Sequence, residues 1–133
     1  MQPVAQGVVA LAALYLLALG VTAAVRPARA KRFLEAHAST ARLHFIELAL
    51  RLVIGVALIL AAPNMRGGTL VVVGGWILVV STFVLAVTPW RVHHRFAAWA
   101  VPMATRTMPL VAAGAIAGGV ALLSALLLDP RVA

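Results

Sequence analysis

Four apolar runs, Gly7 to Val25, Leu43 to Ala62, Thr69 to Val87 and Leu110 to Leu128, occupy more than half of this 133-residue chain. Each has the ~17–25 residues that a helix needs to cross ~30 Å of hydrocarbon at ~1.5 Å rise per residue. Hydrocarbon offers backbone N–H and C=O groups no water, so each run must satisfy its own backbone as a helix, and the helices must pack together. The composition agrees: 64% hydrophobic against 11% charged, where a soluble domain carries about 25% charged residues. The expected fold is an all-α membrane protein, a single domain over residues 1–133 with four transmembrane helices in a compact bundle. The spans are expected at about 7–25, 43–62, 69–87 and 110–128.

The first run has no basic residues ahead of it, and its positive cluster follows it, where it resists translocation. It is therefore expected to be a retained span and not a cleaved leader, although Val21 to Ala23 has the small residues of a cleavage site. The link after span one holds Arg26, Arg29, Lys31, Arg32 and Arg42, and the link before span four holds Arg91, Arg95 and Arg106; the opposite side has only Arg66 and Arg131. Cytoplasmic links carry the excess of Lys and Arg. Both long links are accordingly expected in the cytoplasm and both termini outside it, in a bacterial inner membrane. The net charge of +8 then reads as topology plus attraction to anionic headgroups, with Arg29, Lys31, Arg32, Arg91 and Arg95 facing them. Charge split between two membrane-flanking links does not make a nucleic-acid face.

Each long link contains an amphipathic segment. Over about 28–37, Ala30, Phe33, Leu34 and His37 share one side of a helical wheel, and Lys31, Arg32 and Glu35 the other. Over about 90–101, Val92, Phe96, Trp99 and Ala100 oppose Arg91, His94 and Arg95, and Pro102 is expected to end the segment. Such helices lie in the interfacial plane, where Trp90 and Trp99 suit an aromatic belt. Ser39 and Thr40 can cap span two, and Pro63 to Gly68 is a tight turn into span three. The order span, interfacial helix, span thus occurs twice. Val25-Arg26-Pro27-Ala28-Arg29 aligns with Val87-Thr88-Pro89-Trp90-Arg91, and Gly55-Val56-Ala57-Leu58 with Gly119-Val120-Ala121-Leu122. Two tandem repeats are one reading of this; chance matching of low-complexity apolar sequence is the other.

Span two is the exception among the four, because it carries ionisable groups. His44, Glu47 and Arg51 are spaced by three and four, so they form one polar stripe on a helix face. Arg51 falls roughly 12 Å below the start of the span. Its insertion cost of about 2.5–3.5 kcal/mol is offset by the surrounding apolar residues, provided that the stripe faces protein or water. Three roles fit: a structural Glu47–Arg51 pair that sets the rotation of the helix, a site for an ion, a proton or an anionic headgroup, and a contact with another subunit. At the positions of span four that align with the stripe stand Met108, Val111 and Ala115, so the polar face belongs to one half of the chain.

Span four has a Gly114-x-x-x-Gly118 pattern extended by alanines, expected to admit another helix closely or to form a homodimer, with Gly74-Gly75 of span three as the place of approach and Gly55 as a further packing position. The chain has no cysteine. No metal-ligand spacing, phosphate-binding loop or nucleophile set is found, so no enzyme activity, metal or cofactor is expected. The functional expectation is a structural or accessory subunit of a membrane complex. The alternative is a minimal transporter or lipid-handling protein that uses Glu47 and Arg51.

Overall fold

The computed structural model describes residues 1–37 and 41–128. Six helices follow one another: α1 (Gln2–Val25), α2 (Pro27–His37), α3 (Ala41–Ala61), α4 (Gly68–Val87), α5 (Trp90–Arg106) and α6 (Met108–Leu127), with a 3-10 turn at Ala62–Asn64 between α3 and α4. Among the described residues there is no strand. α1, α3, α4 and α6 are long and apolar enough to cross a membrane. Only 11% to 33% of each span's most apolar window is buried inside the chain. The rest, including Leu11, Leu50, Trp76, Phe83 and Leu110, is exposed apolar surface far beyond what a water-soluble monomer tolerates. The molecule is therefore an integral membrane protein whose spans turn most of their apolar surface outward.

Helix ends follow from local chemistry. Pro3 and Pro109 sit in the first turns of α1 and α6, where a missing N–H costs nothing. α1 starts at Gln2, earlier than the apolar run, because helical hydrogen bonding continues through the polar Gln6 to the chain's start. Between α3 and α4 the turn needs glycine twice. Gly67 has φ 69°, a left-handed conformation that an L side chain resists, and a Cβ on Gly68 would collide with the Ala62 carbonyl. The Arg66 N–H donates to the Ala125 carbonyl at 2.8 Å, which occupies an otherwise open acceptor in the last turn of α6 and ties the turn to it.

α5 departs from expectation in one respect. It runs through Pro102 to Arg106 instead of ending there. Proline removes one hydrogen bond and crowds the preceding turn, but ending the helix there would leave the backbone groups of the residues that follow without their helical partners. The reading of Ser39 and Thr40 as caps falls outside the described residues.

The spans pack in the order α6, α1, α3, α4, with α1 against α6 and α3 against α4 as the closest pairs and α1 against α3 as the seam. α4 and α6 barely touch. The element order of the two halves repeats, and so do the two closest pairs, since exchanging α1 with α4 and α3 with α6 turns one into the other; the seam between α1 and α3 has no counterpart of that strength between α4 and α6. Two apolar clusters hold the bundle. At the end bearing the α3–α4 turn, Ala5, Val9, Ala57, Leu58, Ala61 and Met65 are buried, joined by Val71 of α4 and Leu122 of α6, so all four spans contribute. At the opposite end, Ala23, Ala30, Met108 and Ala112 join α1, α2 and α6 without α3 or α4.

Candidate functional site

One face of α3 is turned toward its neighbours and the other outward. His44, Leu48, Gly55, Leu58 and Ala61 are buried, while Phe45, Ile46, Leu50 and Val53 are exposed. Glu47 and Arg51 lie along the neighbour-facing side with partial exposure. The polar stripe and the apolar core are therefore successive stretches of one helix face. His44, Glu47 and Arg51 occupy the end where the apolar cluster omits α3.

Arg51 Nη1 donates to Glu47 Oε1 at 3.4 Å, one helical turn away. That is long for a charge-assisted bond, which is ordinarily about 2.7–2.9 Å. Arg51's shorter contact crosses to α4, where Nη2 donates to Ser81 Oγ at 3.0 Å. The Ser81 hydroxyl in turn donates to the Leu78 carbonyl at 3.0 Å, and Thr82 donates to the same oxygen at 2.6 Å. A chain of polar contacts thus runs from Glu47 through Arg51 and Ser81 to the backbone of α4, each link polarising the next. Arg51 Nε is buried with no hydrogen-bond partner among the described residues. Side-chain exposure is 31% for Arg51 and 37% for Glu47, so the pair is neither sealed nor fully open.

The register that sets Arg51 opposite Ser81 comes from glycine. A Cβ on Gly55 would lie 2.8 Å from Val79 Cγ2 and 3.1 Å from the Gly75 carbonyl, and one on Gly75 would lie 2.8 Å from the Gly55 carbonyl. The backbones of α3 and α4 touch at this level, and in an antiparallel pair Arg51, one turn from Gly55, comes level with Ser81, a turn and a half beyond Gly75. Small residues allow such an approach in membranes, where apolar side chains gain nothing by leaving lipid.

Within the single chain, the close packing expected of span four does not fall on Gly114 and Gly118. Gly114 has no atom within 4 Å of an added Cβ, and Gly118 has only an ordinary contact, with Leu16 at 3.7 Å. The close crossing of α1 and α6 uses Gly20, where a Cβ would lie 3.0 Å from the Ala112 carbonyl, and Gly119, where one would lie 2.9 Å from the Ala13 carbonyl. Gly114 and Gly118 lie off that contact because the helix is rotated to bury Ala112 and Gly119. Gly75 receives α3 and not α6, and Gly74 beside it faces open space.

Arg29, Lys31, Arg32 and Arg95 are exposed at one end of the bundle, together with Arg26, Arg42 and Arg106. The side chain of Arg91 lies outside the described set, as do those of His37, His93 and His94. Among the described residues no three His, Asp or Glu side chains gather as a metal-ligand group. The largest described groove, about 550 Å³ between α1 and α3, is lined by apolar residues such as Val4, Val8, Leu52 and Leu60 and includes none of the polar stripe.

One participant, Ser81, does not stand out in the sequence. Ser81-Thr82 is the one adjacent hydroxyl pair within an otherwise apolar span, a signal that becomes meaningful once the glycine register is known. No protein-family model, curated protein or solved structure matches this chain.

Proposed function

We propose that this integral membrane protein is a structural or accessory subunit of a membrane complex, with no catalytic activity of its own. The observation that carries the reading is the commitment of Arg51 to internal partners, Glu47 on its own helix and Ser81 on α4. A cation used in this way fixes the rotation of α3 against α4. The remaining third of each side chain gives a partner subunit, or a second copy, a polar position to cover. Both termini and the Arg66 turn lie outside a bacterial cytoplasm in this reading, and the end rich in arginine meets anionic headgroups on the inner leaflet, as the distribution of exposed cations supports.

The partial exposure of the pair favours a second reading, a minimal transporter or lipid-handling protein that loads an ion or proton at Glu47. Substitution separates the two. Glu47→Leu and Arg51→Leu should each destabilise the detergent-solubilised protein, by about 1 kcal/mol or more once the 3–5 kcal/mol of a fully buried broken pair is discounted for exposure. For a structural pair the double substitution loses less than either single change, because no lone charge remains. A double variant whose loss equals the sum of the singles would show that the two do not act as a unit. A stable double variant that has lost ion or proton flux in proteoliposomes would favour transport.

A further inference from the structure

The spans of the second half leave a gap. Between α4 and α6 runs a groove of about 290 Å³ with Leu58 of α3 as its floor, Leu70, Val71 and Gly74 on one wall and Ala121 and Ala125 on the other. Its walls are low because Gly74, Ala121 and Ala125 have little or no side chain. In a bilayer such a space does not stay empty.

The mouth of the groove is positive. Arg66 lines it and is exposed, and its backbone N–H is held on the Ala125 carbonyl at 2.8 Å, which pins the residue to the α6 wall. Next to it α4 begins at Gly67 with no side-chain cap and no acidic residue in its first turn, so the positive end of the helix adds to the arginine. In the sequence that follows α6, Asp129 and Arg131 carry opposite charges, which leaves Arg66 as the net charge of this end. We propose that the α4–α6 groove is a binding site for one anionic phospholipid, an acyl chain lying along Leu58 and Gly74 and the headgroup phosphate meeting Arg66. This site is at the end of the bundle away from α2 and α5, and it is independent of the Glu47–Arg51 pair.

The test uses the full chain, purified and equilibrated in nanodiscs of equal phosphatidylglycerol and phosphatidylcholine, then released and weighed by native mass spectrometry. The expected result is one retained phospholipid with phosphatidylglycerol favoured by about fivefold, the ratio set by one arginine near the membrane surface. Arg66→Gln should bring the two lipids close to parity. Gly74→Leu, tolerated by the fold because a Cβ there meets nothing within 4 Å, should abolish retention of both, whereas Ala113→Leu on the exposed side of α6, outside the groove, should leave retention intact. The proposal is overturned if the preference survives Arg66→Gln, if retention survives Gly74→Leu, if Ala113→Leu abolishes it equally, or if the protein emerges as a lipid-free dimer that Gly74→Leu dissociates.

Discussion

Glycine positions in this protein differ in what stands behind the missing side chain. At Gly75 an added Cβ would meet the Gly55 carbonyl and Ile59 Cγ1, each at 2.8 Å, and neither backbone can yield without parting α3 from α4. Gly75→Val is expected to lower the thermal stability of the solubilised protein by about 1–3 kcal/mol, the usual cost of overpacking, and to uncouple Arg51 from Ser81. Gly114→Val, facing open space, should change it by less than about 0.5 kcal/mol. Circular-dichroism melts of the two variants compare them directly; equal losses would mean that α6 uses Gly114 in a contact outside the single chain. In sequence both positions look alike, since each belongs to a pattern of small residues in an apolar helix. What separates them is the rotation of each helix, which depends on its neighbour.

The two interfacial helices share a composition but not a surrounding. α2 is anchored by Ala30, 1% exposed, in the cluster it forms with α1 and α6. α5 packs only lightly on α6 and α2, and its apolar side chains Val92, Phe96, Trp99 and Met103 are all more than half exposed. The rings of Phe96 and Trp99 lie 6.0 Å apart and tilted at 47°, presenting one broad apolar edge. An amphipathic helix in this state is completed by the acyl boundary of the bilayer. In a variant that keeps Trp99 as its single tryptophan, fluorescence should be blue-shifted in vesicles and quenched by lipids brominated near the headgroup, and Phe96→Ser should reduce the quenching while leaving the helix content of the spans unchanged. Quenching that is strongest with bromine deep in the chains would place α5 elsewhere. That these segments are amphipathic helices was legible from the wheel positions of Ala30, Phe33 and Leu34 and of Val92, Phe96 and Trp99, because a 3.6-residue period is a local property. That α2 is packed and α5 open was not, because it depends on which spans lie beneath them.

At the scale of the whole molecule, seven of the described arginine and lysine side chains are exposed at the end carrying α2 and α5, and Arg66 alone at the other. Insertion energetics orient such a chain with the cation-rich end in the cytoplasm. The chain has no cysteine, so single thiols can be introduced without a background. In intact bacterial cells, Asn64→Cys should react with a membrane-impermeant maleimide and Ala98→Cys should react only after the membrane is permeabilised; the reverse pattern would invert the topology.

The number of spans, the two amphipathic helices between them and the confinement of charge within the spans to His44, Glu47 and Arg51 could all be derived from residues in order. The reason is that hydrocarbon imposes a one-dimensional rule on a chain: any apolar run of sufficient length must become a helix, and any ionisable group within it is conspicuous. The pairing of α1 with α6 and of α3 with α4, the choice of Gly20, Gly75 and Gly119 over Gly114, the partnership of Arg51 with Ser81 and the open groove between α4 and α6 came only from the tertiary structure. Lipid exerts no preference among apolar helix faces, so which faces meet is settled by where two backbones can approach, a property of pairs of helices that no single run of sequence contains.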